Sequence, residues 1–288
     1  MLTRQKAILR LIQNEGGRVG KTRLFKLAFL ISNEPGWQDT SLAYQFIPYQ
    51  FGPYSFTLAH ELKTLERDGL LRIMESEVKL VEFTEALPQP NTSISFFIDS
   101  LTHRYKKVST DDLVSIVYRR FPWFTAKARD KSRRGAQVSV AVPAVYTVGY
   151  EGLMLDGLLD LLLKSGIKQL IDVRANPVAR RFGFHKSTLD RHCADIGIKY
   201  LHFPELGIPS AERAELSGAE SYKLLFENYS RETLVSNRKF VEAVSDLIRK
   251  SPSALMCMEA DANCCHRTHL ANLVSKLTQL PVTELRTQ

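Results

Sequence analysis

The C-terminal half of the chain is expected to be an α/β domain, with a mostly parallel sheet and covering helices, and the N-terminal part a smaller α+β domain. Two observations carry that division. From Ala144 onward, short β-rich apolar runs alternate with segments whose apolar residues recur at helical spacing, the order that builds a parallel sheet. Before Pro88, helices come first and two short strands last. Length agrees, since 288 residues suit two domains better than one.

Taken in order, Ile8, Leu11 and Ile12 form the apolar face of a first helix, which Gly16-Gly17 ends. Residues 22–31 form a second, offering Leu24, Leu27, Phe29 and Ile31 to a core. Residues 44–51 alternate aromatic and polar side chains as a strand does, and Gly52-Pro53 reads as the turn after it. Ser55 is placed to cap a helix over 56–68, with Leu58, Leu62 and Leu65 facing inward and Gly69 ending it. Residues 70–83 read as two strands joined by a tight turn at Glu75–Glu77.

Two helices, a third helix and a terminal hairpin are the parts of a winged helix-turn-helix. The run Leu62-Lys-Thr-Leu-Glu-Arg-Asp-Gly-Leu-Leu71 resembles the end of its recognition helix and the entry to the wing. This winged-helix-like domain (1–87) would turn His60, Lys63, Thr64 and Arg67 outward to nucleic acid. Lys21, Arg23 and Lys26 would contact phosphates. Glu61, Glu66 and Asp68 dilute the positive charge there, so a solvated helix face or a protein-docking module stays open as the alternative.

Pro88–Ser93 marks a break, and residues 88–143 read as a helical bridge and basic linker, whose helices brace the first unit or bridge to the second. Helices are expected over 94–105 and 110–120, the second capped by Thr110 or Asp111. Lys127, Arg129, Lys131, Arg133 and Arg134 then face a single acid, a local candidate for phosphate contact as well as an ordinary exposed linker.

In the α/β domain (144–288), strands are expected at 145–148, 169–173, 199–203 and 254–258, with an edge strand at 282–285. Helices are expected over 153–164, 189–196 (capped by Ser187 or Thr188), 220–227 and 238–249. Another begins near Cys265, with Leu270, Leu273, Val274 and Leu277 at helical spacing. Six segments occur in a fixed order: Gly149-Tyr-Glu-Gly152; Asp172-Val-Arg174 with Pro177; Gly183-Phe184; Gly197-Ile-Lys-Tyr200; Glu205-Leu-Gly207; and Cys257-Met-Glu259 through Cys265-His-Arg267. Together they resemble the bacterial "domain of unknown function" family numbered four-eight-eight over about residues 144–286. The resemblance implies an α/β fold and a shared polar site.

The polar residues of these segments follow the expected strands, where open α/β sheets bind ligands. Arg174 and Arg267 are candidates for a bidentate phosphate or carboxylate clamp, with Gly149, Tyr150, Glu151 and Gly152 as the glycine turn that lets backbone approach a ligand. Glu259, Asp172 and His266 are candidate acid/base groups; the alternative is an internal salt bridge. Cys265, beside His266 and Arg267 at a helix start, is a candidate nucleophile, the alternative being a small buried packing residue. Cys257 reads as buried strand. No CxxC pair recurs at structural-zinc spacing, so no metal site is assigned, and the cofactor is left open.

The net charge of +8 favours an anionic partner, nucleic acid first and an anionic small molecule or nucleotide second. No apolar run reaches the roughly 18 residues that span a bilayer, and the N-terminus lacks a signal-peptide core, so no membrane partner and a cytoplasmic location are expected. The expected function is a nucleic-acid-associated protein whose α/β domain binds, and hydrolyses or modifies, a phosphate-bearing group in repair, modification or defence. Two alternatives stand beside it: a non-catalytic DNA-binding regulator that senses an anionic small molecule, and a thiol-dependent enzyme using Cys265.

Overall fold

The structure, a computed structural model, describes residues 1–34, 43–81, 87–179, 181–209, 212 and 219–286. The chain forms two compact units, Met1–Gln137 and Val138–Gln288.

The first unit runs α1 (Thr3–Asn14), β1 (Arg18–Gly20), α2 (Lys21–Asn33), β2 (Ile47–Tyr49), β3 (Gly52–Tyr54), α3 (Phe56–Arg67), β4 (Leu71–Ile73), β5 (Glu77–Leu80), α4 (Thr92–Tyr105) and α5 (Thr110–Arg120). It is α+β: β1, β5 and β4 form an antiparallel sheet in that order, under a helical core. Ile8, Leu11 and Ile12 of α1 and Leu24, Leu27 and Phe29 of α2 are buried, as are Leu58, Leu62 and Leu65 of α3. Ile98 and Leu101 of α4 and Leu113 and Val117 of α5 enter the same core, so the helices read as a bridge brace the first unit. Ser55 caps α3 by accepting from Leu58 N at 3.1 Å.

Several local expectations change. Residues 44–51 do not make one strand; the backbone turns at Gln50-Phe51, and β2 and β3 pair antiparallel as a short hairpin. Gly52 begins β3 with φ +85°, and the Tyr118 ring occupies the place a side chain there would need. The cap of α5 is Ser109, which accepts from Asp112 N, and neither Thr110 nor Asp111 takes that role. β1 has no counterpart among the expected strands, because three residues with one apolar side chain carry no period. Glu82 and Phe83, the end of the expected second wing strand, lie outside the described residues.

The second unit runs β6 (Val145–Gly149), α6 (Leu155–Lys164), β7 (Gln169–Asp172), α7 (Lys186–Asp195), β8 (Lys199–His202), α8 (Ala219–Asn228), α9 (Leu234–Ser236), α10 (Arg238–Lys250), β9 (Ser253–Cys257), α11 (His266–Thr278) and β10 (Val282–Leu285). All five strands are parallel, in the order β10-β6-β9-β7-β8. β9 is buried along its whole length, as a central strand covered on both faces must be. Leu255 and Cys257 pack with Val241, Val244 and Ile248 of α10 and with Leu270, Ala271 and Val274 of α11. Ala254 and Met256, of the opposite parity, are equally buried. The expected edge strand at 282–285 pairs with β6 from Val282↔Val145 to Leu285↔Val148. Neither Ser187 nor Thr188 caps α7; both lie inside its first turn, and the N-cap is His185, whose side chain makes no capping bond to the helix backbone. Among the described residues no helix is long and apolar enough to cross a membrane.

Candidate functional site

Because the sheet is parallel, the carboxyl ends of its strands share one edge. Gly149 pairs with Cys257, and Asp172 pairs with Met256 on one side and His202 on the other. The ladder continues past the strands: Glu151 N donates to Met258 O at 2.8 Å, and Ala260 N donates to the Glu151 carboxylate at 3.0 Å. Gly149 is required for this closeness. A Cβ there would overlap the Glu259 carbonyl group, with its carbon only 2.7 Å away. The backbone that approaches Gly149 is therefore the protein's own, whereas Gly152 takes φ +79° with open space around it.

One group at this edge is built on Arg174. Its Nε and Nη2 donate to both oxygens of Asp172, at 2.9 Å and 2.6 Å for the closest contacts. Nη1 donates to Tyr150 Oη and to Phe184 O, both at 3.0 Å. Tyr200 Oη adds a 2.6 Å bond to Asp172 Oδ2. Burial alone would lower the Arg174 pKa, but the bonds and charge of Asp172 outweigh it and hold the guanidinium protonated. Burial raises the Tyr200 phenol, and the Asp172 charge raises it further. The Tyr150 ring stacks on Phe184 at 4.2 Å, and the Arg174 guanidinium lies 5.1 Å from its centre. His202 Nε2 donates to Arg174 O at 2.9 Å, leaving its Nδ1 to Lys186 Nζ.

A second group gathers at the end of β9 and the start of α11. Glu259 Oε2 accepts from Cys257 Sγ at 3.1 Å and from Cys265 Sγ at 3.0 Å. His266 Nδ1 lies 3.8 Å from Cys257 Sγ, and its Nε2 lies 3.1 Å from Val173 O. A carbonyl only accepts, so Nε2 carries a proton, and in the neutral ring Nδ1 is the acceptor facing sulfur. The edge of the Tyr229 ring, on a widened π turn after α8, closes over His266 at 5.3 Å, and Tyr229 Oη donates to Leu206 O at 2.7 Å. Cys257, Cys265 and His266 are all buried, and Glu259 is half-exposed. Donation from the Cys265 thiol, with the His266 imidazole, lowers the Cys257 pKa well below the usual thiol value against the pull of burial. Burial and the neighbouring Cys257 sulfur push Cys265 the other way.

Arg267, fully buried, stitches this corner to the edge strand. Its Nη1 donates to Glu259 O, and its Nη2 lies 3.3 Å from Ala260 O and from Glu284 Oε1 of β10. Arg174 thus gives its donors to internal partners, and Arg267 gives both Nη groups to its own chain while its buried Nε has no partner among the described residues; the two expected clamp arginines sit in separate buried groups. Asp172 is likewise held in an ion pair.

The structure brings Glu259 and Cys265 together with Cys257, whose sulfur also lies beside His266. The Sγ atoms of Cys257 and Cys265 and a ring nitrogen of His266 all lie within 4.8 Å of one another. Sequence reading set Cys257 aside because a cysteine inside an apolar strand reads as core. The missed signal is its place as the last residue of the strand, two before Glu259. Cys264, exposed, stands outside the group, and Cys193 is buried in α7 with its pKa raised by burial.

Of the expected nucleic-acid contacts, Lys63, Arg67, Arg129, Lys131, Arg133 and Arg134 are exposed, and Lys21 and Lys127 are half-buried. Two are corrected. Arg23 is turned inward to Glu15 and to the carbonyls of Tyr105 and Val108. Lys26 is buried with its amine on Phe51 O, and burial pulls its pKa down to about 7. The Arg133 guanidinium lies 4.9 Å from the centre of the Tyr118 ring, and Arg134 Nε donates to Ala128 O.

Residues 154–274 match the family model Domain of unknown function DUF488. That segment spans α6 through most of α11 and includes Asp172, Arg174, Cys257, Glu259 and Cys265–Arg267; the Gly149–Gly152 turn and β10 lie outside it. No curated protein and no solved structure matches the chain. The matched segment therefore carries both the buried ion pair and the thiol group.

Proposed function

We propose that the second unit is a thiol-dependent catalytic module. One observation supports this reading above all: two reduced cysteines, an imidazole nitrogen and a carboxylate converge at the carboxyl edge of a parallel sheet. The nucleophile in this reading is Cys257, not Cys265, because Cys257 faces the imidazole. His266 Nδ1 takes the Cys257 thiol proton while Val173 O fixes the ring. The Cys265 thiol donates to the resulting thiolate. The Cys257 sulfur forms a bond to an electrophilic atom of a small substrate as that atom's bond to its leaving group breaks, and the leaving group departs with the proton returned by His266. Glu259, half-exposed, connects the buried sulfurs to solvent. The expected result in reduced, metal-free Cys264→Ser protein at neutral pH is that iodoacetamide modifies Cys257 or Cys265 well before Cys193. His266→Gln is expected to slow that labelling by about 10²-fold. Mass-spectrometric mapping reads both; if no thiol of the group is modified until the protein unfolds, the module is not thiol-dependent.

A second reading concerns the first unit, as a winged-helix-like domain that contacts nucleic acid. What supports it is the order of helices before the β4–β5 hairpin, and the exposure of His60, Lys63 and Arg67 along one side of α3. Duplex DNA binding is expected to weaken as salt rises, and Lys63→Glu with Arg67→Glu to reduce the log–log salt slope by about 2. Binding that ignores salt, or the double variant, would remove the reading.

A further inference from the structure

We propose that Cys257, Cys265 and His266 form a binding site for one soft divalent metal ion, zinc first, with Glu259 as a displaceable fourth ligand. The inference rests on the same thiol group as the proposed function and names the ion that group takes.

Tetrahedral zinc holds sulfur at about 2.3 Å and nitrogen at about 2.0 Å, which sets its ligand atoms roughly 3.5 to 3.8 Å apart. Cys257 Sγ and His266 Nδ1 are separated by 3.8 Å. The two sulfurs and the ring nitrogen lie within 4.8 Å of one another, and one Glu259 oxygen lies 3.1 and 3.0 Å from the two sulfurs, on the side open to solvent. On binding, two metal–sulfur bonds and one bond to His266 Nδ1 form, and the protons that the two thiols and the imidazole would otherwise share leave to solvent.

His266 supplies an independent argument. A metal-bound imidazole almost always gives its other N–H to a carbonyl or carboxylate, which fixes the ring and its tautomer. Here Nε2 is already committed to Val173 O, at the end of a different strand, and Tyr229 packs against the ring. The nitrogen left over is the one that faces the sulfurs. Arg267 does a similar service for the loop carrying Glu259, holding the carbonyls of Glu259 and Ala260.

The donor set selects the ion. Two thiolates and an imidazole favour zinc or a neighbouring transition metal over magnesium or calcium, which prefer all-oxygen shells. Three buried ligands beside one half-exposed carboxylate match the catalytic pattern, in which the fourth position exchanges with water or substrate, better than a closed structural site. The spacing Cys257–x7–Cys265-His266 matches no pair of CxxC hooks, because one ligand ends a strand and the other two begin a helix.

The test uses the full chain, reduced and stripped with a chelator, then titrated with Zn2+ and separately with Co2+. The expected result is one ion per chain, with Co2+ giving the intense ligand-field and sulfur-to-metal charge-transfer bands of a tetrahedral thiolate site. Cys257→Ser and Cys265→Ser are each expected to weaken binding at least 10- to 100-fold, Glu259→Gln to retain the ion, and Cys264→Ser to change nothing. Sub-stoichiometric binding to the reduced chain overturns the site, as does loss of binding in Cys264→Ser alone. Should a ligand variant fail to fold, the wild-type Co2+ spectrum decides, since bands without sulfur charge transfer overturn it equally. Labelling of the stripped protein separates the two proposals. Fast iodoacetamide modification without ion binding removes the metal and leaves the thiol module standing. Ion binding with a stripped centre that resists alkylation removes the module and leaves the metal.

Discussion

Replacing Asp172 with alanine is expected to destabilise the second unit by about 3–5 kcal/mol, the cost of leaving a buried charge without its partner. The guanidinium of Arg174 would keep Tyr150 and Phe184 O but lose both carboxylate bonds, and it has no path to water: its side chain is 7% exposed and that of Asp172 is 0%. In a unit of this size the loss corresponds to a fall in Tm of roughly 6 to 20 °C. Tyr200→Phe removes only one charge-assisted bond to the same carboxylate and should cost about 1.5–3 kcal/mol. Asp172→Leu combined with Arg174→Met should recover much of the loss, because an apolar pair needs no compensation. Thermal unfolding of the four proteins checks the set. A loss below 1 kcal/mol for Asp172→Ala would mean that the pair is not buried in solution.

Gly149→Ala is the second substitution with a large expected effect. A methyl group there meets backbone, not a flexible side chain, and that backbone is pinned from three sides. Ala260 N is held by Glu151, and the carbonyls of Glu259 and Ala260 are held by Arg267. The expected cost is about 3 kcal/mol, the upper end of overpacking, and the response should reach the thiols. Lifting the 259–260 segment withdraws the Glu259 carboxylate from both sulfurs, so Cys257 and Cys265 should alkylate faster than in the parent protein. Gly152→Ala is the control. It faces open space and pays only for its left-handed backbone, about 1 kcal/mol, with no change in labelling. Equal effects at the two glycines would show that the close approach at Gly149 is absent.

Much of this architecture was legible in the sequence, for reasons that can be named. The strands of the second unit are short apolar runs covered on both faces, and Leu153–Lys164 carries an unbroken helical period, so each element announces itself. Less legible was what a polar residue touches. Arg174 and Arg267 stand beside acids and turns, and proximity in sequence cannot separate an arginine that waits for a ligand from one already spent on its own chain. Burial decides it, and burial depends on the whole sheet. Cys257 reads as buried strand and is buried; what its neighbours Leu255 and Met256 hide is that it ends β9 beside Val173 and close to His266. In the first unit, β1 escaped notice because three residues hold no pattern, and Lys26 was misread because charge on a helix normally marks the solvent side.

The sheet order has a consequence for how the protein is made. β6 and β7 follow one another in the chain yet never pair; β9, made about a hundred residues after β6, slides between them. Until that late strand is emitted by the ribosome, β7 has only β8 beside it and β6 has no sheet partner, so closing the sheet waits on a slow, distant pairing. The same strand delivers Cys257, so the cluster it forms with Cys265 and His266 comes together only as the sheet is completed.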